Sequence, residues 1–295
     1  MKILVLGAGG MMGHMACRVL AESHDVVGTI RSEWNDRSAI ARFVPRDSCI
    51  DTVDVLDVRE VEQALDTVRP DVVFNCVGIV KQLSAAKDAL VSIECNSLLP
   101  HRLAVSCADR GARLIHLSTD CVFSGHRGMY TEDDIPDPVD LYGRSKLLGE
   151  TAPEEGLTIR TSIVGRQLTG STSFFEWILL SRGRRVTGFD RAVYSGVTTM
   201  TLARTIGKVI EEHTDLSGVW QIASAPITKY ELIVRLNELL DLGLDVDRDV
   251  EMECDRSLDG SRFENHTGIV IPSWDDMLAD FVADEPSYSW LEASA

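Results

Sequence analysis

Two residues with complementary acid–base chemistry stand four positions apart in the segment DLYGRSKLLGE. On a helix, Tyr142 and Lys146 would lie one turn apart on the same face. A phenol has an ordinary pKa of about 10 and is a slow acid or base at neutral pH, but a nearby ammonium stabilises the phenolate and lowers that pKa. We therefore predict that Lys146 lowers the pKa of Tyr142 and that the pair transfers a proton.

A hydroxyl at the end of a strand-like segment completes this candidate site. The segment LIHLSTD ends in Ser118, Thr119 and Asp120, and Thr119 can hydrogen-bond a substrate carbonyl oxygen beside Tyr142. A YxxxK pair alone is common on exposed amphipathic helices. Because it follows a glycine turn and an STD segment along alternating strands and helices, we predict that Thr119, Tyr142 and Lys146 act together at one carbon atom.

The glycine turn is GAGGMMG, directly after the apolar segment KILVL. Gly7, Gly10 and Gly13 permit a tight turn, a close approach of backbone amides to a pyrophosphate, and close packing of strand against helix. The amides of Met11 and Met12 would begin the helix and face the phosphates. The turn predicts a dinucleotide site; a strand–helix turn without a ligand is the alternative.

The end of the second predicted strand indicates which dinucleotide binds. Arg31 follows DVVGTI, where a carboxylate normally accepts the ribose hydroxyls of NAD, and an arginine suits a 2′-phosphate. NADP is therefore predicted, with Ser32 assisting and NAD as the alternative. Tyr142 and Lys146 are expected to contact the cofactor as well. Further predicted cofactor contacts, at the ends of the third and fourth strands, are Asp57, Val58, Asn75, Val77 and Gly78.

Apolar segments alternate with helical segments throughout the first half of the chain. This pattern, with continuous Val, Ile and Leu strands, predicts an α/β fold: a Rossmann-type doubly wound parallel sheet of about seven strands with helices on both faces. The third strand is predicted over IDTVDVLD. We expect a dinucleotide-binding domain over 1–165. Residues 166–295 would mainly form a smaller α/β substrate lobe that includes GVWQIAS, with about 190–215 returning to the core.

Composition excludes several classes of protein. The 295 residues carry a formal charge of −17, which opposes nucleic-acid binding and is typical of a highly soluble protein, including one from a salt-rich habitat. No apolar run approaches the roughly 18 residues that span a bilayer. The seven cysteines are scattered without a CxxC pair, so we expect reduced thiols and no metal site. Without a signal-like N-terminus, a cytoplasmic protein with no membrane or nucleic-acid partner is predicted.

Six segments together resemble the extended short-chain dehydrogenase/reductase superfamily, and most closely its dTDP-4-dehydrorhamnose reductase branch. They are GAGGMMG, NCVG, IECNSLLPHRLA, LSTDCVFSG, YGRSKLLGE and IRTSIVG, within about residues 1–210. The resemblance implies Thr119, Tyr142 and Lys146 as catalytic residues and Asn96 behind the active-site helix, where it is predicted as a further cofactor contact. It also implies hydride transfer from NADPH to C4 of a nucleotide-linked 4-keto-6-deoxy sugar, with the proton from Tyr142.

Two departures from that pattern leave the sugar open. Cys121 stands where related reductases commonly carry Tyr, and the substrate-lobe segment reads FDRAVYSGVTT. Related 4,6-dehydratases place Glu after the Thr–Asp pair, so dehydration is disfavoured. Arginines in the second half suit a sugar-nucleotide pyrophosphate, although a helix C-terminus also favours positive residues. The predicted substrate contacts are Lys81, Asp120, Cys121, Arg166, Arg182, Arg184 and Arg185.

Two other functions remain open at this point. One is a cofactor-binding regulatory subunit resembling that of methionine adenosyltransferase, and the other is a sugar-nucleotide epimerase that retains its cofactor. The sequence favours catalysis because the Thr, Tyr and Lys are all present. The expected partner is a nucleotide-sugar substrate, while the base, the product stereochemistry and a homodimer are left open.

Overall fold

A computed structural model describes residues 1–80 and 88–292. The strands are β1 (Lys2–Leu6), β2 (Asp25–Thr29), β3 (Cys49–Ile50), β4 (Val72–Asn75), β5 (Arg113–Leu117), β6 (Leu157–Arg160), β7 (Ile163–Val164), β8 (Arg185–Tyr194), β9 (Val197–Thr198), β10 (Gly218–Gln221), β11 (Ile227–Thr228) and β12 (Asp245–Asp255). The helices are α1 (Met11–Leu20), α2 (Val58–Val68), α3 (Ala89–Ile93), α4 (Leu99–Ala108), α5 (Leu141–Leu148), α6 (Phe174–Leu180), α7 (Thr199–Glu212), α8 (Lys229–Leu239), α9 (Ser261–Thr267), α10 (Trp274–Asp284) and α11 (Ser289–Glu292). Within the described ranges, none of the helices is both long enough and apolar enough to cross a bilayer.

The central sheet has seven strands in the order β10–β6–β5–β4–β1–β2–β3, and every neighbouring pair is parallel. The predicted α/β fold with a seven-stranded parallel sheet is confirmed. One strand was misassigned, because β10 comes from the GVWQ segment that the sequence placed in the smaller lobe. It pairs with β6 from Gly218 opposite Leu157 to Gln221 opposite Arg160.

The third strand is shorter than predicted. It ends at Ile50, and the remainder of IDTVDVLD forms turns. Asp51 accepts a hydrogen bond from the Trp34 amide at 2.7 Å, and Asp54 accepts one from the Leu56 amide at 3.0 Å. Short acidic side chains that bond nearby backbone amides compete with strand pairing in this way. The predicted strand is therefore wrong beyond Ile50.

Helices cover both faces of the sheet, as the continuous apolar strands predicted. In β1, Ile3 and Val5 pack on one face with α1 and α7, whereas Leu4 and Leu6 pack on the other with α2 and α4. Successive residues of a strand point to opposite faces, so a strand buried on both sides must be apolar throughout. The carboxyl ends of the strands are left as the edge at which polar side chains meet.

The second half of the chain builds a three-stranded sheet in the order β11–β8–β12. Strand β12 runs parallel to β8, β11 runs antiparallel to it, and α8 packs against β8. Helix α7 packs against α1 beside the large sheet. The division of the chain at residue 165 remains a prediction.

Candidate active site

Helix α5 places Tyr142 and Lys146 against the end of β5. Asp140 caps the helix by accepting a hydrogen bond from the Gly143 amide at 2.8 Å. A Cβ at Gly143 would lie 2.1 Å from the backbone oxygen of Cys121, so only glycine allows this approach. The short segment between Tyr142 and Lys146 therefore lets the helix pack directly on the turn that follows β5.

Thr119 begins that turn and is buried. Its Oγ1 accepts a hydrogen bond from the Cys121 amide at 3.1 Å and donates to Asp120 Oδ1 at 3.0 Å. Thr119 also lies within hydrogen-bonding reach of the Tyr142 hydroxyl. The structure thus brings together the two hydroxyls that the sequence predicted at the site, with Asp120 and Cys121 beside them.

The predicted lowering of the Tyr142 pKa is wrong in direction. Burial raises the pKa of Tyr142 above its ordinary value of 10.0, and Cys121 adds to the increase, whereas the hydrogen bond with Thr119 opposes it. Desolvation disfavours the phenolate, and the negative charges of Asp120 and Asp140 disfavour it further, so the hydrogen bond with Thr119 is outweighed. In the protein alone, Tyr142 is therefore a protonated phenol at neutral pH.

Lys146 is buried beneath the loop that follows β4. Burial lowers its pKa to about 8. Its Nζ lies 3.4 Å from Nε2 of His116, a fully buried histidine on β5 that the sequence did not single out. A Cβ at Gly78 would lie 3.8 Å from the same Nζ. The lysine thus sits between β5 and the NCVG loop.

Asn96 lies behind α5, where the family resemblance expected it. It belongs to a widened helical turn, Glu94–Leu98, which joins α3 to α4. Its Oδ1 accepts from the Ile79 amide at 2.9 Å, and its Nδ2 donates to Ile79 O at 3.0 Å and to Ser145 Oγ at 3.1 Å. Asn96 therefore ties α5 to the loop after β4 through internal hydrogen bonds, which is a positioning role.

Asn75, predicted at the cofactor, directs its amide into the protein. It is fully buried at the end of β4, where Oδ1 accepts from the Val77 amide at 3.1 Å and Nδ2 lies 3.1 Å from Nδ1 of His116. Val77 packs on the glycine turn, since a Cβ at Gly7 would lie 2.9 Å from its Cγ2. The strand end is thus held in place by internal hydrogen bonds.

The geometry of the glycine turn suits a pyrophosphate. Gly7 has a φ of +82°, and a Cβ at Gly13 would lie 2.0 Å from Gly7 O, so strand and helix touch at the backbone. Gly10 is the N-cap of α1, and no side chain within the described residues caps that end. The amides of Met11 and Met12 are therefore open to an anionic ligand, while the Met12 side chain is buried.

Arg31 and Ser32 are exposed just beyond β2. No carboxylate in the described part of the chain forms an ion pair with Arg31. Asp57 is not at a strand end but is the N-cap of α2, where it accepts from the Arg59 amide at 2.9 Å and pairs with the Arg59 guanidinium. Val58 is the exposed first residue of that helix.

The structure does not bring the predicted arginines to the site. Arg166 is buried, with Nε 2.8 Å from Glu176 Oε1 and Nη1 2.6 Å from Glu285 Oε2, so its charge is neutralised inside the protein. The others lie at or just before the start of β8, whose ten residues span about 30 Å; among them, the Arg182 guanidinium donates to Asp241 O at 2.7 Å and that of Arg185 to Asp245 Oδ2 at 2.9 Å. These others are Arg182, Arg184 and Arg185. Lys81 lies outside the described residues.

Two residues that the sequence did not single out reach the site instead. Arg256 follows β12, and its Nε donates to Phe123 O at 2.9 Å while Nη1 lies 3.8 Å from Cys121 Sγ. Tyr194 ends β8, and burial and the nearby Asp120 both raise its pKa. Its buried hydroxyl has no hydrogen-bond partner among the residues described. Arg256 belongs to the segment DRSLDG and Tyr194 to FDRAVYSG, and in both segments the sequence pattern is weak.

A doubly wound parallel sheet, a glycine turn on its first strand, and Thr, Tyr and Lys at its carboxyl edge define an extended short-chain dehydrogenase/reductase. The family can be stated more closely. Residues 1–239 match the family model described as the RmlD substrate binding domain, and the chain belongs to that family. The resemblance to the dTDP-4-dehydrorhamnose reductase branch is confirmed.

Relatives and solved structures agree with this assignment. The chain is 30% identical to a Haloferax volcanii protein named probable low-salt glycan biosynthesis reductase Agl14, over 98% of this chain and 100% of the relative. It is 29% identical to the dTDP-4-keto-6-deoxy-D-glucose reductase of Streptomyces niveus, over 92% of this chain and 89% of the relative. The structure of dTDP-4-dehydrorhamnose reductase from Bacillus anthracis in complex with NADP matches with a TM-score of 0.78 and 20% identity, covering 96% of this chain and 99% of that one.

Proposed function

We propose that this protein is an NADP-dependent reductase that converts the 4-keto group of a nucleotide-linked 6-deoxy sugar to a hydroxyl. The observation that carries the proposal is the proximity of the Thr119 and Tyr142 hydroxyls at the carboxyl edge of the sheet. The relatives support it, since two of them are named as reductases and one of these acts on a dTDP-4-keto-6-deoxy sugar.

Thr119 and Tyr142 hold the carbonyl oxygen and supply its proton. When bound, the reduced nicotinamide supplies a hydride to C4. On substrate binding, Thr119 turns the hydroxyl hydrogen that it otherwise gives to Asp120 toward the carbonyl oxygen, and Tyr142 transfers its phenolic proton as negative charge develops there. Because burial raises the pKa of Tyr142, the phenol carries the proton that a reduction consumes. Lys146 lies one turn away on α5. Once Lys146 is protonated, its ammonium stabilises the phenolate that the proton transfer leaves.

Arg256 and Tyr194 are proposed as the substrate contacts in place of the arginines predicted from the sequence. A guanidinium binds phosphate or sugar oxygens through two parallel N–H donors. Arg256 lies beside Cys121, and its described contacts use Nε and Nη1, so other N–H groups are available to a ligand. A buried hydroxyl without a partner requires one, which a sugar hydroxyl near Asp120 would supply to Tyr194.

Arg31 supports NADP over NAD. It is exposed at the end of β2 and has no carboxylate partner in the described residues, so its guanidinium is available to a 2′-phosphate. In a chain with a formal charge of −17, a positive group at this position offsets repulsion of an anionic cofactor. The same fold holds NADP in the Bacillus anthracis structure.

The decisive experiment measures oxidation of NADPH with dTDP- and UDP-4-keto-6-deoxyglucose. Tyr142→Phe keeps the ring and removes the proton, so kcat should fall about 10²- to 10⁴-fold with little change in KM. Tyr230→Phe is the matched control, because the Tyr230 ring contacts Arg248 in the other lobe. Equal activity of the Tyr142→Phe enzyme would refute the role of the phenol.

The same preparation separates the alternatives. A wild-type protein that turns over none of these sugars alone, but copurifies in a fixed ratio with an enzyme, would be a regulatory subunit and not a reductase. An epimerase would retain its dinucleotide through purification and consume none of the added NADPH. A reductase should release the oxidised cofactor after each turnover.

A further inference from the structure

His116 connects Lys146 to the interior of the sheet. It is fully buried on β5, with Nδ1 3.1 Å from Nδ2 of Asn75 and Nε2 3.4 Å from Nζ of Lys146. A neutral imidazole has one N–H donor and one acceptor nitrogen. The two neighbours therefore determine which ring nitrogen carries the hydrogen.

The hydrogen bonds of Asn75 select one tautomer. Its Oδ1 accepts from the Val77 amide, so its Nδ2, which only donates, faces Nδ1 of His116. Burial lowers the pKa of His116 well below 6.5, with smaller contributions from Lys146 and His101, so the ring is neutral. Since Nδ1 accepts from Asn75, the ring hydrogen is on Nε2 and points at Lys146.

Among the residues that the structure describes, Lys146 has no counter-ion to offset a buried charge. The titratable groups that face it are Cys76, Cys95 and Glu150. Burial raises the pKa of both thiols, so they are neutral, and Glu150 is engaged by Arg160 through contacts of 2.8 and 2.7 Å. Within the described residues, no carboxylate lies at ion-pair distance from Nζ. A buried ammonium in such surroundings is costly, whereas an amine can accept a hydrogen bond.

We propose that His116 is a positioning residue that lowers the proton affinity of Lys146 in the free protein, because its Nε2 hydrogen points at Nζ and can bond the neutral amine but repels the ammonium. Negative charge in the cleft favours the ammonium, so an anionic dinucleotide binds together with a proton on Lys146. The lysine then becomes able to stabilise the Tyr142 phenolate. This last consequence rests on the proposed function, whereas the state of the lysine in the free protein does not.

The direct test is a nuclear magnetic resonance titration of the free protein, labelled with carbon-13 at the lysine ε-carbon. The chain has six lysines, and Lys146→Arg identifies the relevant signal. His116→Phe keeps a ring but removes the opposing N–H, so the proton affinity of Lys146 should rise about tenfold, the size of one hydrogen bond. His266→Phe, beside Trp220, is the matched control and should leave the signal unchanged.

Two results would overturn the proposal. A fall in proton affinity in His116→Phe would show that the imidazole accepts from an ammonium, and an unchanged value would show a packing role only. Nitrogen-15 spectra of wild-type histidines provide a second measurement if the variant does not fold. If these spectra place the ring hydrogen of His116 on Nδ1 and not on Nε2, the proposal is also wrong.

Calorimetric titration with NADP in buffers of different ionisation enthalpy tests the coupling to the cofactor. At about pH 8, where Lys146 of the free protein is partly deprotonated, wild type should take up a fraction of one proton per dinucleotide, and His116→Phe should take up less because its Lys146 is more fully charged before binding. Equal uptake would contradict the coupling. Absence of NADP binding would refute the proposed cofactor, while the lysine titration would still decide the role of His116.

Discussion

Replacing Gly13 with alanine tests the contact between β1 and α1 on which the cofactor site depends. A Cβ there would lie 2.0 Å from Gly7 O, 2.7 Å from Gly7 C and 2.9 Å from the Ala8 Cα. All three are backbone atoms, so no side chain can rotate away, and α1 must move by about 1 Å in a close-packed interior. Overpacking of this kind costs about 1–3 kcal/mol, of which the better helix propensity of alanine offsets up to about 1.

The effect on cofactor binding should exceed the effect on folding. The same movement displaces the first-turn amides of α1 from the pyrophosphate. Hydrogen bonds to a charged group contribute about 1.5–3 kcal/mol each, so the loss of one weakens NADP binding about 10- to 100-fold. Isothermal titration calorimetry measures the Kd, and urea unfolding measures the stability.

A second glycine in a helix provides the matched control. A Cβ at Gly207 on α7 would lie 3.4 Å from Cδ2 of Leu20, the end of a flexible side chain. Gly207→Ala should therefore fold at least as well as wild type and bind NADP with the same Kd. If Gly13→Ala also binds NADP with an unchanged Kd, the turn does not hold the pyrophosphate and our reasoning about the cofactor is wrong.

Three further outcomes are expected. Glu150→Gln leaves the buried guanidinium of Arg160 without its counter-charge and should lower the free energy of unfolding in urea by about 3–5 kcal/mol. The double variant with Arg160→Met removes both charges and should recover most of the lost stability. An unchanged stability of Glu150→Gln would contradict the role of this ion pair. Arg256→Lys keeps the charge but removes the forked donors, so KM for the nucleotide sugar should rise about tenfold while KM for NADPH changes little. Equal increases in the two KM values would contradict a specific contact of Arg256 with the sugar substrate. Lys146 has a pKa of about 8 in the folded protein and an ordinary value of 10.5. Between these two pH values, the unfolded chain therefore binds more protons than the folded protein does. Stability relative to Lys146→Met should therefore rise by about 3 kcal/mol from about pH 8 to 10.5 and stay level below that window, and a level difference throughout would refute the burial of the lysine.

Local signals explain what the sequence could predict. The glycine turn, the STD segment and the Tyr142–Lys146 spacing each lie within a few residues of a single strand or helix. The periodicity of a single helix or strand determines which of their side chains share a face. Because parallel strands end at the same edge of the sheet, these segments can also be predicted to meet there. Buried apolar strands likewise predicted a sheet covered on both faces.

Other features depend on partners that are distant in the chain. Arg166 looked available to phosphate, but one of its two carboxylates comes from Glu285, 119 residues away. Arg256 reaches Cys121 across 135 residues, in a part of the chain without a distinct motif. The direction of the Tyr142 pKa was missed for a related reason, because it depends on how deeply the folded protein buries the phenol.

The amide of Asn96 has a mechanical consequence. Since it bonds to both Ile79 and Ser145, Asn96 couples α5 to the loop after β4, so a displacement of one should be transmitted to the other. We therefore expect ligand exchange to displace the β12 side, which meets the turn after β5 through the Arg256 contacts to Phe123 and Cys121.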